Sequence, residues 1–404
     1  MIRGMENQNI LISGASVAGP ALAYWLRRHG FRPTVVEQAP QLRGGGYAVD
    51  FRGAAHLSVL AKMGILDQVR DQQTHLDATT YVDADGRKVA AMPAGIFAGD
   101  VEILRGDLGR ILYQATRDGT EYLFGDSITG LEQRADGVHV TFSRAAPRVF
   151  DLVIGADGLH SAVRRLAFGD RPDARRDLGL YVSIFSVANS FGLDHAGLLY
   201  SVPGRTAAVF SARQSGRAVA QFFFSAPDGT PACYDHHDAG QQQEIVARAF
   251  DGVGWHVPAL LGQMAAADDF YFDSVSQVEL DQWSAGRVAL IGDAGYAAGP
   301  GGNGTGTAVV AAYVLAGELA AARGDYRAAF ARYEELLRPY VARGQKQARG
   351  GRDFLAPATA RQIRQRDRFF TVLARLPAKR LIRYLSTRTA AAIKLPEYPD
   401  CGSR

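Results

Sequence analysis

Cysteine is nearly absent from this 404-residue chain, with only Cys233 and Cys401, far apart and without CxxC spacing. That excludes a disulfide framework and a cysteine-based zinc site, and fits a reducing cytoplasm. Long apolar runs are missing as well. The first apolar stretch, Ile10 to Ser13, is too short for a signal segment, and no run approaches the roughly 18 residues of a membrane span, so a cytoplasmic protein is expected. Net charge is small, at +4, but unevenly placed. Between Arg323 and Lys394 basic residues outnumber acidic ones eighteen to five. Basic helices resting on a more acidic body account for this, and neither nucleic acid nor membrane is expected as a partner, because no zinc-finger spacing or aromatic RNP motif accompanies the charge.

What is present is an ordinary globular composition, 47% hydrophobic with 45 glycines, in a chain too long for one core. Ile10, Leu11 and Ile12 read as a buried strand, followed by a glycine turn and by Ala18, Leu22, Trp25 and Leu26 at helical spacing. Gly30 closes that helix, and Thr34 to Val36 form a second strand ending in Glu37. The opening is therefore a βαβ unit. Tyr122 to Phe124, Ile128 to Glu132 and Val138 to Phe142 read as an antiparallel meander, whereas Leu152 to Ala156 and Val288 to Ile291 read as buried parallel strands beside the first. Leu178 to Leu280 alternates like a separate sheet, and helices interrupted at Gly350-Gly351, Pro357 and Pro377 follow Asp325.

The turn Gly14-Ala15-Ser16-Val17-Ala18-Gly19 lies between strand and helix, where a dinucleotide fingerprint belongs. Gly14 permits the tight turn, amides at the helix start can hold a pyrophosphate, and Gly19 lets helix and strand approach. Ser16 replaces the middle glycine. Glu37, about 20 residues further on, suits a ribose, with Gln38 beside it. A simple NAD-dependent dehydrogenase would not repeat nucleotide signatures late in the chain, yet two more occur here. One is Leu152-Val153-Ile154-Gly155-Ala156-Asp157-Gly158 with Ser161 and Arg164; the other is Arg287-Val288-Ala289-Leu290-Ile291-Gly292-Asp293-Ala294.

These runs resemble the DG and GD motifs of class A FAD-dependent aromatic monooxygenases, the family with the para-hydroxybenzoate hydroxylase fold. The likeness extends from Ile10 to Leu319 and into the tail. The loop Arg43-Gly44-Gly45-Gly46 with Asp50 looks most like that of tetracycline-inactivating and antibiotic-biosynthesis members. The resemblance implies an α/β fold with a Rossmann-like FAD-binding domain, an inserted mixed β-sheet substrate domain and C-terminal helices. The expected division is 1–75, 101–177 and 281–324 for FAD, 76–100 and 178–280 for substrate, and 325–404 for the helical segment.

It further implies that FAD is held by Gly14, Ala15, Ser16, Ala18, Gly19, Glu37, Gln38, Arg43, Asp50, Arg105, Asp157, Gly292 and Asp293, and by Pro300, Gly302, Asn303 and Gly304 of the loop after the GD motif. In that loop Tyr296 replaces a common histidine, and the family's usual Asn at the start of the following helix has no counterpart. NADPH or NADH would serve as a transient co-substrate and O2 as the oxidant, by way of a flavin C4a-hydroperoxide. The substrate would be an aromatic, polycyclic or polyketide-like small molecule, and the protein a monomer or homodimer.

No side-chain nucleophile or metal is needed, and His236-His237 reads as a solvated loop. Aromatic residues Phe185, Phe210, Phe222, Phe223, Phe224, Tyr271 and Phe272 would wall the substrate pocket or form plain core. Rival readings on the same scaffold are a reductase, a halogenase (whose WxWxIP-like signature is missing), a non-catalytic flavin-binding pathway protein and a peripheral membrane enzyme of quinone biosynthesis.

Overall fold

The first strand, Asn9–Ser13, is apolar and buried on both faces, as a central parallel strand must be. It pairs in parallel with Arg32–Glu37 on one side and Leu152–Gly155 on the other, Ile12 lying opposite Val35 and Ile154. In the computed structural model, which describes residues 6–42, 44, 46–76, 78–92, 99–169, 171, 174–212, 216–226, 234–373 and 393–399, these strands form the middle of a six-stranded sheet. Its order is Ser284–Ala285, Val288–Leu290, Leu152–Gly155, Asn9–Ser13, Arg32–Glu37 and Glu121–Phe124.

One expectation is corrected here. Glu121–Phe124 pairs in parallel with Arg32–Glu37 and is not part of the meander. The antiparallel unit is instead Ile128–Arg134, Gly137–Phe142 and Arg148–Phe150. A short run such as Tyr122-Leu123-Phe124 satisfies either sheet by composition, and the crossover helix Arg105–Gln114 delivers it to the parallel edge.

Helix Ala18–Arg28 joins the first two strands and packs against Gly304–Ala321. The latter helix is apolar all round and long enough to cross a membrane by length and composition, yet it is mostly buried between neighbouring helices and the sheet. A helix apolar on every face is what such a core position requires. Helix Tyr326–Ala348, whose first turn donates backbone N–H groups from Arg327 and Ala328 to the Asp325 carboxylate, covers it.

A second, seven-stranded sheet runs Tyr271–Val278, Arg175–Ala188, Arg217–Phe224, Arg205–Ser211, Ala196–Val202, Ala78–Val82, Lys88–Met92. Its two faces separate by the period-two alternation of a strand. Phe222 and Phe224 turn toward helices Ala239–Ala249 and Val257–Met264, where they join Phe185 and Phe272 in a closed core. Val219, Gln221 and Phe223 turn the other way, toward the first sheet. The short helix Gly351–Leu355 and the helix Ala360–Leu373 follow along this sheet, the latter seating Phe370 on the Tyr81 ring at 5.6 Å. The expected break at Pro377 lies outside the described residues. Residues 393–399 return to the first sheet's helices, where Tyr313 donates to the Pro396 carbonyl at 2.8 Å and Tyr398 donates to Glu318 at 2.6 Å.

Candidate active site

Gly14 follows the first strand with φ +108°, and a Cβ there would collide with the Ala156 carbonyl. A Cβ on Gly19 would likewise collide with the carbonyl of Gly14. Both glycines are needed for contact between backbones, which is the physical content of the fingerprint. The Ser16 side chain at the middle position has a partner: Arg105 donates to its Oγ from Nη2 at 2.8 Å and from Nε at 3.2 Å. Glu37, at the end of its strand, accepts from the Ala15 N–H at 2.8 Å and from Ala39 at 2.9 Å. Fingerprint turn, arginine and acidic residue thus meet at the N-terminus of helix Ala18–Arg28, while Gln38 points to solvent.

Arg105 is buried. Burial opposes its charge, but Tyr47, Tyr271, Asp293 and Glu37 around it raise its pKa, so it stays cationic. Asp293 opens onto the cavity between the sheets, and desolvation by the protein around it lifts its carboxyl above the usual range despite Arg105 nearby. Desolvation raises Asp50 too, against the opposing ion pair with Arg52.

The two other motifs support each other. Asp157 does not reach the cavity between the sheets: its carboxylate accepts from Ser161 Oγ at 2.5 Å and from the Val163 N–H at 3.1 Å, holding the start of helix Ala162–Phe168. Arg164 donates to the Ala294 carbonyl at 2.8 Å and to Leu159 at 2.6 Å, bolting the DG turn to the GD turn. Tyr296 is turned into the core, where its hydroxyl meets that of Tyr333 at 2.7 Å.

Between the two sheets lies a cavity of about 760 Å³. One wall is the glycine loop after the GD motif, with Asp293, Pro300, Asn303 and Gly304, together with Tyr47 and Asp50. The opposite wall is the second sheet, with Val182, Ile184, Phe210 and Phe223. Of the aromatic residues expected to wall a pocket, Phe210, Phe223 and Tyr271 do so, whereas Phe185, Phe222, Phe224 and Phe272 are core on the far face. Arg43 lies outside the described residues. Gly302 packs under the loop, too close to Ala298 to carry a side chain.

Asn303, expected among the FAD contacts, lines the wall, and it corrects the expectation that no Asn stands at the start of the following helix. It stands in the left-handed conformation, φ 59°, immediately before helix Gly304–Ala321. Its Nδ2 is buried with no hydrogen-bond partner among the described residues. A buried amide donor is costly to leave unsatisfied, and this one lies just beneath the cavity wall that Asn303 helps to form. Below it, the space a Gly306 side chain would need is filled by the His56 imidazole.

A second cluster is brought together that the spacing concealed. His160 of the DG loop, Asp273 of the second sheet and His236 converge, with His236 exposed in its loop as expected. The His160 and His236 rings are 3.6 Å apart, and His160 Nε2 is 3.0 Å from both Asp273 oxygens.

Taken together, two backbone cradles without room for a Cβ, a helix N-terminus with a buried arginine, a ribose-type carboxylate and an orphan amide beneath the wall of a large cavity fit a flavin dinucleotide. They define a dinucleotide-binding α/β protein with a large cavity between its two sheets.

Comparison with known proteins agrees. A family model described as an FAD binding domain matches residues 7–347. A flavin-dependent monooxygenase from an unknown prokaryotic organism is 40% identical over 403 residues, covering 97% of this chain and 100% of the relative. The Mycobacterium tuberculosis (strain ATCC 25618 / H37Rv) protein Rv1260 is 45% identical over 345 residues, 84% of this chain and 92% of that one. Among solved structures, the tetracycline destructase Tet(55) superposes with a TM-score of 0.82 at 40% identity, covering 98% of this chain and 100% of its own. The chain belongs to the FAD-binding domain family, among its flavin-dependent monooxygenases, with FAD as cofactor.

Proposed function

We propose that this protein uses NADPH or NADH and O2 to oxygenate a polycyclic aromatic or polyketide-like small molecule held against the second sheet. The balanced reaction is RH + O2 + NAD(P)H + H⁺ giving ROH + NAD(P)⁺ + H2O. The observation that carries the reading is the cavity itself, with Asp293, Asn303 and Gly304 of the glycine loop on one wall and the apolar strand faces of Val182, Ile184, Phe210 and Phe223 on the other. The similarity to a protein named a tetracycline destructase supports a fused-ring substrate.

In this reading the amides of the Gly14 to Gly19 turn and Arg105 hold the diphosphate, Glu37 the adenosine ribose, and Asp293 a ribityl hydroxyl. Glu37 exchanges its bond to Ala15 for ribose hydroxyls, and a hydroxyl donor on Asp293 offsets the desolvation that now raises its pKa. Asn303 would help to hold the ring system, and the N-terminus of helix Gly304–Ala321 would favour negative charge there. Bound FAD supplies two-electron transfer from the nicotinamide and activation of O2. The apolar strand face orients the substrate and excludes water. The same reading keeps the division into FAD-binding, substrate-binding and C-terminal helical parts.

The test is purification with bound flavin, followed by NADPH and NADH oxidation in air with a panel of tetracycline-like and other polycyclic phenols. Substrate-stimulated oxidation with a product heavier by one oxygen is expected. Bound FAD that neither nicotinamide reduces under any condition would overturn the reading.

A further inference from the structure

Asp273 lies on the edge strand of the second sheet, where it faces the DG loop of the first, and its carboxylate gathers donors from three directions. His160 Nε2 reaches both oxygens at 3.0 Å, Tyr234 donates to Oδ1 at 2.9 Å, and Tyr271 donates to Oδ2 at 3.3 Å. Arg175 approaches His160 Nδ1 at 3.2 Å. A guanidinium only donates, so Nδ1 accepts and the imidazole proton is on Nε2, aimed at Asp273. The chain of groups then has two distinct ends. His160, about a third exposed, and the exposed His236 stacked on it face water. Tyr271, at the other end, lines the cavity next to Tyr47, Arg105 and Asp293.

We infer that His160, Asp273 and Tyr271 form a proton path from solvent into the cavity, with Tyr271 as the group that delivers the proton. The inference rests on the proposed reaction, which consumes one proton per turnover in a cavity filled by cofactor and substrate. In the step, the exposed Arg175 guanidinium swings off Nδ1, which takes a proton from water as His160 gives its Nε2 proton to an Asp273 oxygen. Asp273 passes a proton to the Tyr271 oxygen, and Tyr271 passes its own to a basic atom formed in the cavity. One proton enters, one is delivered, and the chain resets by rotation of the imidazole and the hydroxyl.

The electrostatics suit a carrier that is charged at rest. Burial favours protonated Asp273, but the bonds from His160, Tyr234 and the Ser274 N–H outweigh it and keep the carboxyl below its usual range. Burial, with Asp273 next in effect, holds the Tyr271 phenol protonated well above its usual range, so it acts as a donor and not as a standing base. Partial desolvation against the His160 ring, and then His160 itself, lower the pKa of the exposed His236 beside its neighbours Arg175, His237 and Asp273. The same three residues have ligand atoms close enough for a cation, but in this arrangement both nitrogens of His160 are already engaged.

Reoxidation of photoreduced holoprotein by O2 tests the path without nicotinamide or substrate, since it takes up one proton per flavin. Stopped-flow mixing in weak buffer with a pH indicator reads flavin absorbance and proton uptake together. Uptake in step with reoxidation is expected for the wild type, and slowing of roughly 100-fold or more for Asp273→Asn and Tyr271→Phe, the range of a lost proton-transfer group. His160→Gly should slow similarly and recover with added imidazole. Unchanged rates in all three variants would overturn the path. So would slowing that imidazole does not relieve and that tracks a lowered melting temperature, which would mark a structural latch. One divalent cation per chain, lost in Asp273→Asn, would also overturn it. Failure of the monooxygenase reading shows separately, as no NAD(P)H oxidation by wild-type protein with normal proton uptake.

Discussion

The two walls of the cavity are built by different means. The loop wall is backed by turns that depend on backbone contact: behind it Gly14, Gly19 and Gly302 sit where a Cβ would strike a neighbouring atom, and a helix N-terminus opens at Asn303. The sheet wall is side chains on an ordinary ladder, where Phe223 faces the cavity and its neighbours Phe222 and Phe224 face a core. A backbone wall can recognise an invariant cofactor, because no substitution alters its donors unless it breaks the turn. A side-chain wall can be recut residue by residue while the strands stay paired, which suits it to substrate choice.

The comparison is broken most directly at Gly14. Valine there meets both a positive φ and the Ala156 carbonyl, so Gly14→Val should purify without flavin, with absorbance near 450 nm lost, while far-ultraviolet circular dichroism reports whether the sheet survives. Retention of FAD at wild-type occupancy would show that the turn does not hold the cofactor. Next in size is a pair on adjacent positions. Phe222→Ala removes a fully buried ring and should cost about 3–5 kcal/mol in chemical denaturation with little change in substrate KM. Phe223→Ala should leave stability nearly intact and raise KM, and the reverse assignment would mean the two faces are misjudged. Arg105→Met should then weaken FAD by roughly 30-fold in a titration of apoprotein, the size of a charge-assisted bond at about 2 kcal/mol. Because Ser16 would lose its partner too, Ser16→Ala combined with it should add little further.

The difference between the walls also explains what could be read in advance. The Gly14 turn, Glu37, Asp157 and Asp293 are each written within a few residues of a strand end, so local spacing reveals them. The role of Asp157 was not legible, because its bonds to Ser161 and Val163 depend on which way the turn points. The sheet wall depends on register: alternation marks Phe222, Phe223 and Phe224 as facing opposite sides, but not which side is the cavity. The His160, His236 and Asp273 cluster joins positions far apart in the chain through the meeting of two sheets, a relation no local pattern encodes. The parallel edge position of Glu121–Phe124 was hidden for the same reason.

The smallest expected effect concerns what lies behind the loop wall. His56 is fully buried: its Nδ1 accepts from the Arg52 N–H at 3.0 Å, so Nε2 carries the proton toward Tyr340 Oη at 2.5 Å. Burial, reinforced by Arg52, lowers its pKa from 6.5 to about 4, and it stays neutral. The unfolded chain therefore binds a proton near pH 6.5 that the folded chain refuses until near pH 4, so this residue's contribution to stability is complete above about pH 6.5 and is lost as pH falls toward 4. At pH 5.5 the loss is about 1 kcal/mol relative to pH 7.5. Denaturation midpoints at the two pH values should differ by that amount in the wild type and by measurably less in His56→Gln, whatever the absolute stability of the variant. Equal pH dependence in both would show that carboxylates alone govern the acid side. It would also show that the imidazole filling the space above Gly306 supports the loop by its shape and not by its neutrality.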